Sequence, residues 1–462
     1  MNRRRLASSL LLSSLLLTLG LGCSGKDAAS SLPEVKLTYW RTFDNSDTMS
    51  DIITAYTTLH PNVSIDYKKL RSDEYDNALL RAFADGTGPD IFSVHNSALG
   101  SYQSLLLPEP ATTTIPYAEI QGTLRKQTVI ITKVLPTVSI KTLKNDFVDT
   151  VAADVVFPYQ PDPKVAAVDS IYGLPLAVDT LALYANKDLL NAASIPAAPA
   201  NWQEFHDDVV KLTKLDSTGK IIQSGAGFGT SKNVNRAVDI LSVLMMQNGA
   251  NMVDDRGRVA FQTVPAGTPR DLFPAVDATT FYTDFANPTK DAYTWNESFP
   301  SSFDAFTAGQ TAFYLGYSYD LPLIRTAAPK LNFTINNLPQ ITGGREVNYP
   351  NYWVESVSKD TKNPDWAWDF INFATRKENV TSYLTKAQKP TALRSLISTQ
   401  LESEDLGVFA EQLLLAKSWY HGKDTAAMEK ALNSFIDVIL LGTTDPGNAI
   451  ETTARIVSQT YE

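Results

Sequence analysis

Aromatic side chains recur at turns and strand ends along this 462-residue sequence, several of them beside amide, hydroxyl or carboxylate groups. The set is Trp40, Phe43, Trp295, Tyr317, Tyr319, Tyr349, Tyr352 and Trp353, and its densest runs are Trp295-Asn296-Glu297 and Tyr349-Pro350-Asn351-Tyr352-Trp353. A flat apolar face next to fixed donors and acceptors suits a ring with hydroxyls around its edge, which is a sugar. Taken singly, each of these rings is also an ordinary core residue. The grouping is what points to a ligand. The stretch IYGLPLAVDTLALYANKDLL, residues 171–190, adds the polar pair Asp179-Thr180 beside the apolar run Leu181 to Tyr184. Such a pair needs a hydrogen-bond partner, either a local backbone turn or a ligand.

Other chemistries find little support. His60, His95, His206 and His421 stand at no metal-ligand spacing with a second His or Cys, so no metal site and no cofactor is expected. There is no nucleophile elbow, P-loop or complete dinucleotide fingerprint. Gly225-Ala226-Gly227-Phe228-Gly229 has the wrong glycine spacing and reads as a strand needing close backbone approach. Asp254 to Gly257 reads as a hairpin turn rather than a calcium loop. A carboxylate pair for glycoside hydrolysis stays open, because its spacing is tertiary.

The elements that would position these groups follow from periodicity. Lys36 to Trp40 is β-rich, Val63 to Tyr67 alternates as a strand, and Asp90 to Val94 is a third. A helix capped by Ser46 or Asp47 runs to Leu59 with Ile52, Ile53, Tyr56 and Leu59 on one face, and a second runs from Ser72 to Ala84. This β-α-β-α-β order predicts parallel strands with right-handed crossovers, and a ligand site off their carboxyl ends. Thr42 to Ser46 and His95 to Ser97 occupy those ends. Ala111 to Ile140, rich in Thr, Ile and Val, has no assignable pattern. Lys141 to Val155 reads as one helix and Pro158 to Asp169 as a loop. Further on, Asn201 caps a helix, Ile221 to Thr230 is a strand, Val234 to Gln247 a buried helix, and Phe281 to Phe285 opens another. Strands are expected at Thr311 to Leu315 and Phe333 to Leu338. From Asn363 the chain reads as helical to its end, interrupted at Pro390 and Asp445-Pro446-Gly447.

Length predicts two or more domains, and 44% apolar with 19% charged residues is a globular composition. Residues 1–22 form a basic n-region and an apolar h-region, the pattern of an export signal. They carry three Arg and no acid, so the net charge of −10 becomes −13 without them. That balance disfavours nucleic acid and anionic lipid as partners. Cys23 is the sole cysteine, so no internal disulfide can form. Its placement resembles the lipobox of bacterial lipoproteins, with Gly22 as that pattern has it and Leu19 one place early. The resemblance implies lipidation at Cys23, a flexible tether over residues 23–33, and attachment to the outer face of the cell membrane.

Five segments in order carry a wider resemblance: LTYWRTFD from Leu37, GTGPDIFSVHN from Gly86, the 171–190 stretch with NWQEF from Asn201, FTAGQTAFYLGYS from Phe306, and NPDWAWDFINFAT from Asn363. Together they resemble the extracellular solute-binding proteins of carbohydrate-type ABC importers, the maltose-binding-like family. Asn201 stands where that pattern has Thr, and residues 111–169 run longer and more polar than it. The resemblance implies an α/β periplasmic-binding-protein-like fold, with lobe 1 at 34–178 plus 341–388 and lobe 2 at 179–340 plus 389–462. It implies a monomer without catalysis that closes on a sugar or oligosaccharide and docks on a membrane permease. Carried over by motif position, Phe43, Asp44, Glu74, His95 and Asn96 would bind from the first lobe, and Asp179, Trp295 and Tyr317 from the second. Tyr349 and Trp353 would sit near the later crossover. Asp179 is then placed at the first crossing between lobes, facing the cleft. The alternatives are a surface-anchored polysaccharide hydrolase, or a binding protein for peptide or polyamine.

Overall fold

A computed structural model describes residues 32–122, 127–267 and 273–462. The export signal, Cys23 and most of the tether therefore lie outside the described residues.

Strand Val35–Thr42 pairs in parallel with Val63–Leu70 along its whole length and with Ile91–His95 through Tyr39 and Trp40. Helices Ser46–Leu59 and Ser72–Ala84 make the crossovers. The expected β-α-β-α-β order therefore stands. The first helix buries Met49, Ile52 and Tyr56 while Leu59 is exposed, so its apolar stripe is narrower than its sequence suggests. Its N-cap is Asn45, whose side chain caps nothing and accepts from Lys69 Nζ instead. Strand Trp353–Ser358 joins this sheet antiparallel to Ile91–His95, bringing Trp353 opposite His95.

The unassigned stretch is a long hairpin, Thr112–Gln121 paired with Gln127–Pro136. Thr113 and Ile115 are buried near its base, while much of the rest is half-buried or exposed, so alternation left little trace in the sequence. The expected helix 141–155 is split into Ile140–Asp146 and Asp149–Val155. Between them Phe147 is extended, bridging Leu393, and Val148 N–H donates to Ala392 O. The expected loop 158–169 is bounded by a short hairpin, Val156–Tyr159 with Val168–Ile171.

The second sheet has the order Lys214–Leu215, Ile221–Ala226, Thr311–Gly316, Ala182–Asn186, Phe333–Asn337. Asn186 and Asn201 cap the helices that follow them, accepting from Leu189 N and Glu204 N among others. Every residue of helix Ala237–Gln247 is buried, which is why it shows no polar face. Phe281 lies within helix Pro274–Asp284 and Phe285 caps its end, so these residues close a helix rather than open one. Gly225 is required by packing: a Cβ there would stand 2.7 Å from Val209 O.

The two sheets carry separate cores. Leu37, Tyr39, Phe92, Val178, Val354 and Trp368 belong to the first, and Leu181, Leu183, Phe205, Phe313 and Leu432 to the second. Between Val178 and Leu181, Asp179–Thr180 pairs antiparallel with Pro350–Asn351. The chain crosses again along residues 413–425, from Leu413 in the first core to Trp419 in the second. The other expected boundaries move. Val347 and Tyr349 pack with the second core, not the first, and Leu393, Leu396 and Ala410 pack with the first, not the second.

A buried ionic cluster ties the first sheet to helix Lys377–Ala387 and to Lys389 just beyond it. Arg41 Nη2 lies 2.9 Å from Asp44 Oδ2 and 3.1 Å from Glu355 Oε1. Lys389 Nζ is 2.8 Å from Asp44 Oδ1, Tyr383 Oη donates to Asp44 Oδ2, and Tyr39 Oη and Ser93 Oγ donate to Glu355 Oε2. Burial opposes ionisation of Asp44, but Arg41 and Lys389 outweigh it and hold the carboxyl below its usual range. Removing one partner leaves a buried charge uncompensated, so Arg41→Met is expected to cost about 3–5 kcal/mol in urea denaturation. A loss below about 1 kcal/mol, the level of a surface change, would contradict this role.

Candidate functional site

The carboxyl ends of the first sheet's strands present an aromatic wall. Phe43 follows strand Val35–Thr42 with φ +66°, a left-handed conformation that is strained for a residue with a side chain. Its neighbours explain how it is held: Asp44 belongs to the buried ionic cluster, as does Arg41 two residues earlier. The ring is 55% exposed and meets Trp353 edge-on at 5.8 Å. Trp353 in turn contacts His95 at 5.5 Å and Tyr75 at 5.7 Å.

His95 belongs to the same wall. Ser97 N–H points at its Nδ1 at 3.4 Å, and Ser97 Oγ lies 2.8 Å from the same nitrogen. Burial, and then the positive charge of Arg236, lower its pKa to about 4, so it is neutral at physiological pH.

Arg236 belongs to the second lobe. It has φ +58° and immediately precedes the buried helix Ala237–Gln247. Its guanidinium chelates Asp239, Nε to Oδ2 at 2.7 Å and Nη2 to Oδ1 at 2.9 Å. Tyr317 Oη donates to Asp239 Oδ2 at 2.7 Å, and the Tyr317 ring stacks on Tyr319 at 5.5 Å. Tyr319 is the exposed face of that stack, at 38%. Tyr349, buried in the second core, feels both Asp239 and Arg236. Two walls with aromatic faces and fixed polar groups thus approach each other near the crossing strands.

The structure brings together Phe43, His95, Asn96 and Trp353 on one side, and Tyr317 and Tyr349 on the other. The remaining expected residues are employed elsewhere. Asp44 is held by Arg41, Lys389 and Tyr383. Glu74 is exposed in the first turn of its helix, 3.8 Å from Arg71. Trp295 is fully buried, stacked on Phe299 at 4.4 Å, with Nε1 donating to Asn233 Oδ1. Asp179 accepts from Ser318 N and Oγ on Oδ2 and from Thr180 N on Oδ1, so its carboxylate is a joint of the crossing. Arg236 and Asp239 escaped the sequence reading. An i,i+3 pair ahead of an apolar run is an ordinary helix start, and nothing local shows that it faces another lobe. A groove of about 640 Å³ also lies on the first lobe, among Thr142, Asn372, Arg376 and Arg394. Its one aromatic residue, Phe147, is buried, so it lacks the chemistry of the inter-lobe walls.

Comparison with known proteins agrees with this architecture. Residues 51–404 match the family described as bacterial extracellular solute-binding protein. The chain belongs to that family. A cyclic α-maltosyl-1,6-maltose binding protein from Arthrobacter globiformis has the same fold, with TM-score 0.69 at 16% identity over 93% of this chain and 99% of that one. A maltose-binding periplasmic protein from Listeria monocytogenes, in complex with maltose, gives 0.66 at 18% identity over 92% and 97%. A Brucella abortus relative described as a binding protein is 23% identical over 207 residues, 45% of this chain. The chain spans about half the length of the curated relatives it matches, 47% for this one.

Burial pushes the Asp179 carboxyl up to about 7, against hydrogen bonds that favour its charged form. A carboxyl that holds its proton more tightly when folded adds stability below its unfolded value of 3.8, and that stability is lost as pH rises to about 7. Asp179→Asn is therefore expected to flatten the fall in melting temperature between about pH 4 and 7. An unchanged slope would place the titration elsewhere.

Proposed function

We propose that this protein captures a sugar or oligosaccharide between its lobes by hinge closure and delivers it to a membrane permease, without making or breaking a bond. The observation that carries this is the pair of walls, Phe43–Trp353–His95 on one lobe and Arg236–Asp239–Tyr317–Tyr319 on the other. Exposed ring faces stack on sugar faces, and fixed polar groups meet hydroxyls. A ligand touching both walls stabilises the closed state over the open one. Lobe 1 then takes about 34–178 and 352–400, lobe 2 about 179–351 and 419–462, and residues 401–418 pack against both. Export by residues 1–22, lipidation at Cys23 and action as a monomer on the outer face of the membrane complete the reading. The sugar-binding neighbours of similar fold support it.

A hydrolase needs a free pair of carboxylates. Here Asp239 is chelated by Arg236, and Asp154 at the base of the walls accepts from Tyr352, Ser418 and His421, which favours binding over catalysis. A polyamine would call for a cleft of free acids.

A thermal-shift screen of the lipid-free chain from Ser24 against maltose, maltotetraose, peptides and spermidine tests the reading. A sugar at a hundredfold its Kd should add about 2.7 kcal/mol of stability and be recovered intact. Phe43→Ala and Trp353→Ala should each weaken that sugar by at least about 1 kcal/mol. A response to spermidine or peptide alone, or cleavage of the sugar, would contradict it.

A further inference from the structure

Helix Thr425–Leu441 packs Met428, Leu432, Phe435 and Ile436 into the second core. At its start Thr425 Oγ1 donates to Ser97 O at 2.9 Å, two residues beyond His95 on the first lobe. Just before it, Gly422 comes so near the first lobe that a Cβ on Gly100 would collide with the Gly422 carbonyl oxygen. This end of the helix is therefore set against the carboxyl end of strand Ile91–His95.

Glu429 stands one turn further along, on the same side of the helix as Thr425. It is half-buried. The charges that act on it are those of Arg236 and Asp239, and all three act on Tyr349. It therefore belongs to the wall whose Arg236 also acts on His95 from the other lobe. The neighbouring acids are already taken. Asp239 accepts from Arg236 and Tyr317, Asp179 from Ser318 and Thr180, and Asp154 from Tyr352 and Ser418. Among the described residues, no hydrogen bond or ion pair holds the Glu429 carboxylate.

Two groups beside it are also unused. Arg236 engages Asp239 through Nε and Nη2 and leaves Nη1 without a partner among the described residues, on a side chain 32% exposed. The Tyr349 hydroxyl has none there either, and neither group nor the Glu429 carboxylate is sealed from solvent. Burial raises the Glu429 carboxyl above its usual range, against the pull of Arg236. A half-buried carboxylate without a donor is unfavourable. A sugar hydroxyl supplies the donor, and the oxygen of the next hydroxyl can accept from a guanidinium.

We propose that Glu429 is a further ligand-binding residue of the cleft: its carboxylate accepts a hydroxyl of the bound sugar, and Arg236 Nη1 donates to a neighbouring hydroxyl oxygen. An acceptor and a donor side by side suit two adjacent hydroxyls. This rests on the sugar reading of the cleft.

Calorimetric titration of the chain from Ser24 tests it, with maltose, maltotetraose and any other sugar that responds in the screen. Glu429→Ala should weaken that sugar by about tenfold or more, and Glu429→Gln, which keeps a neutral acceptor oxygen, by less. Glu451→Gln, at an exposed acid on helix Pro446–Gln459, should leave the affinity unchanged. In the chain carrying glutamate labelled with ¹³C at the side-chain carboxyl, the signal lost in Glu429→Gln belongs to Glu429. It should move when the sugar saturates the protein, and the signal lost in Glu451→Gln should stay in place. Wild-type affinity in Glu429→Ala, an equal loss in Glu451→Gln, or a Glu429 signal that ignores bound sugar overturns the proposal and leaves the sugar reading standing. A wild type that binds no sugar overturns the sugar reading, and this assignment with it.

Discussion

Two separately packed lobes are joined by a two-residue ladder, Asp179–Thr180 against Pro350–Asn351, and by the later crossing along residues 413–425, and the rest of the molecule depends on that junction being narrow and fixed. Its carboxylate is the joint. Asp179 takes the backbone and hydroxyl of Ser318 on one oxygen and Thr180 N on the other, anchoring the crossing to the segment that carries Tyr317 and Tyr319. Asn348 does similar work on the return, accepting from Leu181 N and donating to Leu181 O and Gln412 Oε1. A link of this kind lets rigid bodies rotate without disturbing either core, as hinge motions require.

Each lobe brings to the hinge a residue in an unusual conformation backed by ion pairs. Phe43 is left-handed and exposed in front of the Arg41–Asp44–Glu355–Lys389 cluster. Arg236 is left-handed and clamped to Asp239. Strain of this kind persists only where the surroundings over-determine it, and it gathers at ligand sites. The ionic cluster thus acts at one remove, fixing the backbone that displays the ring. His95 is kept neutral by burial and by the charge of Arg236 on the other lobe.

The sequence made the first β-α-β-α-β unit readable because each helix and strand there buries one face, which leaves a clear period. The same rule explains the failures. Hairpin 112–136 has little buried surface beyond its base, so its alternation carried no signal. Helix 237–247 is buried on all sides and was visible only as an apolar run. Of the candidate site, the positions at strand ends were legible, since topology alone puts Phe43, His95 and Asn96 at the carboxyl ends of strands. Asp44's partner Lys389 lies 345 positions away, and an aromatic beside amides such as Trp295 looks the same in a core as in a cleft, so neither environment could be read locally. Arg236, Asp239 and Asp154 gain their meaning only when distant segments meet.

The central claim is that ligand is held by closure of the lobes about the Asp179–Asn351 ladder. Small-angle X-ray scattering of the chain from Ser24, with and without a saturating sugar from the screen, measures it directly. The radius of gyration should fall on binding and recover when the sugar is removed by dialysis. Saturable binding with an unchanged radius of gyration would contradict hinge closure.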